Sequence, residues 1–164
     1  MSARKSQKGL SRRRIFGFGA ILVGATPLVR GPTAVAADEG RIRQPARPTT
    51  DAFVKRAFEM RDLAVARGDQ GYGAIIVHAA SGQIVAQSPS RVVTNGDPSA
   101  HAEMEAIRDA ARRLKSRDLS DYVMYSSTRP CAMCEAAAYW ANLNAFYFGG
   151  QAAGGKAPRL CGNW

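Results

Sequence analysis

Apolar residues recur every three to four positions between Thr50 and about Arg67, with Phe53, Ala57, Met60 and Ala64 on one stripe and Val54, Phe58 and Val65 beside it. That period predicts a helix with one buried face, which Thr50 or Asp51 can cap and Gly68 can stop. The period then shortens. "GAIIVHAASGQIVAQS" reads as two short strands, about 74–78 and 83–87, joined through Ser81 and Gly82 as a hairpin. Residues 89–98 read as a loop, and 99–114 as a helix with Ala102, Ala106, Ala110, Leu114, Met104 and Ile107 as its apolar positions. "YVMYSS" from Tyr122 predicts a strand, Pro130 to about Asn142 a helix, and "AFYFGG" from Ala145 a further strand on which Phe146 and Phe148 alternate into the core. Strands alternating with helices predict a three-layer α/β/α domain with a mixed sheet.

The chain has 164 residues, 46% of them hydrophobic and 22% charged, enough for one domain with a sizeable core and with no internal repeat. Its formal charge of +10 is unevenly placed. Residues 1–36 carry seven of the 23 Lys and Arg and no acid; from residue 37 onward 16 basic side chains face 13 acidic ones. A balance of +3 without a basic stripe argues against a nucleic-acid partner.

The basic start has the layout of an export signal: Met1 to Arg14 positive, Ile15 to Val29 apolar, then small residues at Ala34 and Ala36, so that cleavage would leave Ala37 first. The apolar run has 15 residues interrupted by Gly17, Gly19, Gly24 and Pro27, short of the roughly 20 that a membrane span needs. "SRRRIF", with Arg12 and Arg13 as the pair, resembles the twin-arginine export motif, which implies a periplasmic or secreted mature protein. The expected organisation is therefore signal 1–36, linker or flexible arm 37–49 containing Pro45 and Pro48, and one domain 50–164.

Chemistry concentrates in two short stretches. Cys131 and Cys134 stand three residues apart after Pro130, at a helix start where free N–H groups favour thiolates. Such a pair can be a redox couple, a disulfide or half of a metal site. Upstream, "PSAHAE" supplies His101, which with both sulfurs would make a three-ligand zinc site and leave one tetrahedral position open, as a catalytic zinc needs. A fourth ligand from His78 or Cys161 would close the site and make it structural. His78 otherwise reads as a surface histidine, Cys161 as a leftover thiol, and Tyr139 and Trp164 as core or dimer aromatics.

His101-Ala102-Glu103 followed by Pro130-Cys131-Ala132-Met133-Cys134 resembles the zinc-dependent cytidine and purine base deaminase superfamily, whose signature is H-x-E and then P-C-x-x-C. The likeness covers about 50–149 and is nearest to the branch of guanine deaminases and tRNA adenosine deaminases. It implies Zn2+ on His101, Cys131 and Cys134, with Glu103 moving a proton from the activated water to the ring and to the leaving amine. It further implies a homodimer, a small heterocyclic substrate losing ammonia, and ring contacts from the backbone of Ala102 and Cys131. In an ideal helix His101 and Glu103 would point about 200° apart, so both can serve one site only from an irregular first turn.

Two positions depart from the pattern. Ser90, one residue before Arg91, which itself precedes His101 by ten, stands where the purine-specific relatives carry an asparagine. One hydroxyl replaces a donor and an acceptor, which weakens the case for a purine. Arg129 replaces a glutamate before Pro130 and brings a positive charge beside the pocket, or else faces solvent. The competing readings are a structural-zinc binding module and a tRNA adenosine deaminase-like editing enzyme. Twin-arginine export carries folded proteins, so zinc loaded in a reducing cytoplasm would deliver both cysteines already coordinated.

Overall fold

A computed structural model describes residues 40–158. The proposed signal at 1–36, residues 37–39, Cys161 and Trp164 lie outside them. Nine elements follow in order: α1 Thr50–Ala66, β1 Gly73–His78, β2 Ile84–Pro89, α2 Val92–Asn95, α3 Ala102–Leu114, β3 Tyr122–Ser126, α4 Ala132–Trp140, β4 Ala145–Phe148 and β5 Ala153–Lys156. The sheet order is β2-β1-β3-β4-β5. Only β3 and β4 run parallel, with Met124 opposite Phe146; β1–β2, β1–β3 and β4–β5 are antiparallel. A parallel neighbour needs a crossover, and α4 supplies it.

Alternation along β1 divides the core, because successive strand residues point to opposite faces. Ile75 and Val77 meet Phe53, Ala57 and Met60 of α1, together with Ile84 and Tyr125. Ala74 and Ile76 meet Ala102, Ala106 and Ala110 of α3 and, beyond Met124 and Phe146, Ala138 of α4. The expected three layers and mixed sheet are present, with Phe146 and Phe148 both in the second cluster. Gly73 lets α1 lie directly on the sheet: a Cβ there would run into the backbone of Ala57, Met60 and Arg61. Among the described residues no helix is long and apolar enough to cross a membrane.

Several boundaries differ from the sequence reading. Thr49, not Thr50 or Asp51, caps α1, its Oγ1 accepting from the Ala52 N–H at 3.3 Å. Val65 is exposed. β2 extends to Pro89, which an edge strand tolerates, and a short helix occupies part of the expected 89–98 loop. The third helix begins at Ala102 instead of Ser99, because Asp97 Oδ1 accepts from both the backbone N–H and the hydroxyl of Ser99 at 2.8 Å and holds it in a turn. The cysteine helix begins at Ala132, leaving Cys131 as its cap. β5, Ala153–Lys156, had no counterpart in the reading.

The stretch expected to be a flexible arm is, from residue 40, tied to the edge of β2. The Gln44 amide donates to Ile84 O at 2.7 Å and accepts from Ile84 N at 2.9 Å, doing for that edge what a neighbouring strand would. Gln87 Nε2 donates to Arg41 O at 3.1 Å, and Ile42 packs into the α1-side cluster.

Candidate metal centre

His101 and Cys131 are the N-caps of α3 and α4, with extended backbones (φ −62°, ψ 153° and φ −75°, ψ 170°), and neither caps its helix through its side chain. A cap residue precedes the helical spiral, so its side chain can turn to the space beyond the helix end. This resolves the angular conflict between His101 and Glu103: the histidine stands outside the helix, and the glutamate is the second residue within it.

The two caps converge. His101 Nδ1 lies 3.6 Å from Cys131 Sγ and 3.6 Å from Cys134 Sγ, and the sulfurs are 3.7 Å apart. Among the described residues this trio is the one group of His, Cys, Asp and Glu donors close enough to share an ion. A tetrahedral zinc with Zn–S of about 2.3 Å and Zn–N of about 2.0 Å needs donors about 3.8 Å (S to S) and about 3.5 Å (S to N) apart. The spacing found fits within about 0.1 Å, and both cysteines are free thiols. Burial, then the Glu103 carboxylate and then Cys131, push the Cys134 thiol far above its ordinary range. A cation at the trio would reverse that preference.

Glu103 is buried against the trio. Its Oε2 lies 3.5 Å from Cys134 Sγ, while Oε1 accepts a 2.7 Å hydrogen bond from the hydroxyl of Ser126, also buried, at the end of β3. The two carboxylate oxygens are therefore inequivalent: one is anchored to the sheet, the other faces the donors. Ser126 was not singled out from the sequence, since a serine ending a strand carries no motif.

The other candidate residues differ in burial and in partners. Ala102 opens α3, and the first amides of a helix lack intrahelical partners. Arg129 is exposed, just before the buried Pro130. Ser90 is 1% exposed and donates its hydroxyl proton to Asp69 Oδ1 at 2.9 Å, so that proton is not offered to a ligand. Asp69, also missed, accepts in addition from Gln70 N, Val93 N, Thr94 N and the Thr94 hydroxyl. Burial alone would raise its pKa; the hydrogen bonds from Thr94, Gln70 and Ser90 outweigh that and hold it below the ordinary carboxylate range. His78 is engaged with Ser81 at 2.8 Å and lies edge-on to Tyr122, outside the trio.

Fold and donor set together define an α/β/α protein with a seat for one tetrahedral cation between two helix starts. Residues 48–150 match the model of the cytidine and deoxycytidylate deaminase zinc-binding region, and the chain belongs to that family. It is 40% identical over 99 residues to the guanine deaminase of Bacillus subtilis (strain 168), spanning 60% of this chain and 62% of that protein. To the tRNA-specific adenosine deaminase of Aquifex aeolicus (strain VF5) it is 39% identical over 85 residues, spanning 52% of this chain and 55% of that one. The X-ray structure of guanine deaminase from Bacillus subtilis superposes with a TM-score of 0.59 at 36% identity, covering 66% of this chain and 72% of that one.

Proposed function

We propose that this protein is a zinc-dependent aminohydrolase that converts an amino-substituted heterocyclic base, with guanine the first candidate, to its keto form and ammonia. The observation that carries the reading is the His101–Cys131–Cys134 triangle with Glu103 against it. His101 Nδ1 and the two sulfurs would hold a zinc ion, which when bound would supply a nucleophilic water near neutral pH. Glu103 Oε2 takes the proton of the attacking water and delivers it to the ring nitrogen. The carbon–nitrogen bond then breaks as the second proton passes through the same oxygen to the departing amine. Ser126 keeps Oε1 occupied, so one oxygen does the transfer. The amides of Ala102 and Cys131 hold the ring, and Arg129 stands at its rim.

The identity to guanine deaminase supports a purine substrate. The tRNA-specific relative supports a polynucleotide reading, against which stands the balance of +3 from residue 37 onward. Export through the signal at 1–36 and a periplasmic site of action complete the proposal, as does a homodimer. Met133 and Trp140, both exposed on α4 and seven residues apart on one helical face, supply the apolar surface for pairing.

Ammonia release from guanine, adenine, cytosine, pterins and triazines tests the activity. Wild type releases ammonia from at least one of them, and Glu103→Gln keeps its zinc and loses turnover. Unchanged turnover in Glu103→Gln would refute the assigned role. Turnover on tRNA alone would favour the editing reading.

A further inference from the structure

The sheet face opposite α3 and α4 carries a concavity unrelated to the metal centre. Residues 43–49 pass the start of α1, and between them, α1 and Ile84 lies a cavity of about 540 Å³. Its charged lining is one-sided: Arg43, Arg47, Lys55 and Arg56 against the carboxylate of Glu59. Four positive groups against one negative give +3 around one cavity, as much as the whole balance from residue 37 to the end.

Arg56 distinguishes this cavity from an ordinary solvated charged face. Its side chain is only 6% exposed, and a buried guanidinium is costly unless compensated. Nε and Nη2 donate to the neutral Gln87 Oε1 at 2.9 and 2.8 Å, and Nη1 to Glu59 Oε2 at 2.7 Å. Glu59, 42% exposed, is shared with Lys55 at 3.8 Å. One half-exposed carboxylate thus answers two cations, and the three bonds use three of the five guanidinium N–H groups. The helix dipole adds to the field, since Thr49, the N-cap of α1, lines the same cavity. Gln87 also holds the Arg41 carbonyl, so the bonds that fix Arg56 fix the arm that closes the cavity.

We propose that this cavity binds a small organic phosphate, with the phosphoryl group on Arg47, Lys55 and Arg56 and the carbon skeleton against Ala52 and Ile84. A dianion matches a cluster of guanidinium and ammonium groups better than a monoanionic carboxylate does. The volume lies within the range of small-molecule sites, roughly 300–1,000 Å³, and leaves room beyond the phosphoryl group. The site lies across the sheet from the metal centre and does not depend on the deaminase reading.

Isothermal titration of the full chain at low ionic strength tests it, with ribose 5-phosphate as probe, inorganic phosphate as a second arm and ribose as blank. Ribose 5-phosphate is expected to bind one per chain, inorganic phosphate to compete more weakly, and ribose to give no saturable heat. Arg47→Ala and Lys55→Ala remove exposed side chains without threat to folding, and each weakens binding about tenfold. Glu103→Gln leaves it unchanged. Absence of saturable binding, wild-type affinity in Arg47→Ala and Lys55→Ala, or loss of binding in Glu103→Gln overturns the proposal.

Discussion

The two faces of the sheet are packed by different means. The α1 face is filled by large side chains: Phe53, Met60, Ile75 and Tyr125, with Tyr147 stacked on Tyr125 at 4.9 Å between ring centroids. The α3–α4 face is lined with alanines, Ala102, Ala106, Ala110, Ala138 and Ala141, around Ile76, Met124 and Phe146. Small side chains let a helix sit close to its support, and close-packed interiors transmit small shifts. On the alanine face that closeness brings two helix starts together within 4 Å at the level of their side chains. The bulky face stabilises; the alanine face positions. Chemistry that tolerates errors of no more than a few tenths of an ångström belongs on the second.

The sharpest break in this comparison is the loss of a donor. Cys134→Ser is expected to remove zinc and activity together, a fall of at least about a thousandfold in turnover, checked by elemental analysis and ammonia release. The two faces are separated next. Met60→Ala should cost about 2–5 kcal/mol of stability by leaving a cavity under α1, with one zinc per chain retained. Ala106→Leu should cost less, about 1–3 kcal/mol by overpacking, yet weaken zinc affinity by pushing α3 off the sheet. Equal zinc affinity in the two variants would erase the distinction. Denaturant unfolding and competition with a chelator give both readouts.

Smaller effects refine the picture. Ser126→Ala should lower kcat about tenfold while KM and zinc content hold, and Ser126→Thr should restore most of the loss. The smallest concerns acid stability. Because the folded pKa of Asp69 is depressed, its contribution is present above the ordinary carboxylate range and is lost as pH falls through the lower, folded value. Unfolding measured from pH 5 downward should show that loss in wild type and a flatter profile in Asp69→Asn.

What could be read in the sequence was local. His101-x-Glu103 and Pro130 to Cys134 are legible because each is a compact run of letters that resembles one half of a family signature. The core stripe of α1 and the short apolar runs of β1 and β3 are legible for the same reason, that each is a pattern of neighbouring letters. What escaped depends on distant partners. β5 reads "AGGK", with no alternation, and is a strand only because β4 offers it an edge. The arm at 40–49 looks polar and irregular, yet Gln44 finds Ile84 forty residues away. Arg56 sits on the buried side of α1, although charged side chains are mostly exposed, because Gln87 meets it there. Ser126 and Ser90 look interchangeable as letters; one holds Glu103 and the other is held by Asp69.

X-ray absorption at the zinc edge on the purified, metal-loaded chain tests the central claim most directly. The account predicts one zinc per chain with two sulfurs at about 2.3 Å, one imidazole nitrogen at about 2.0 Å and a fourth light ligand that exchanges with solvent. A third sulfur, a second imidazole, or metal-free protein whose two sulfurs are bonded to each other would contradict it.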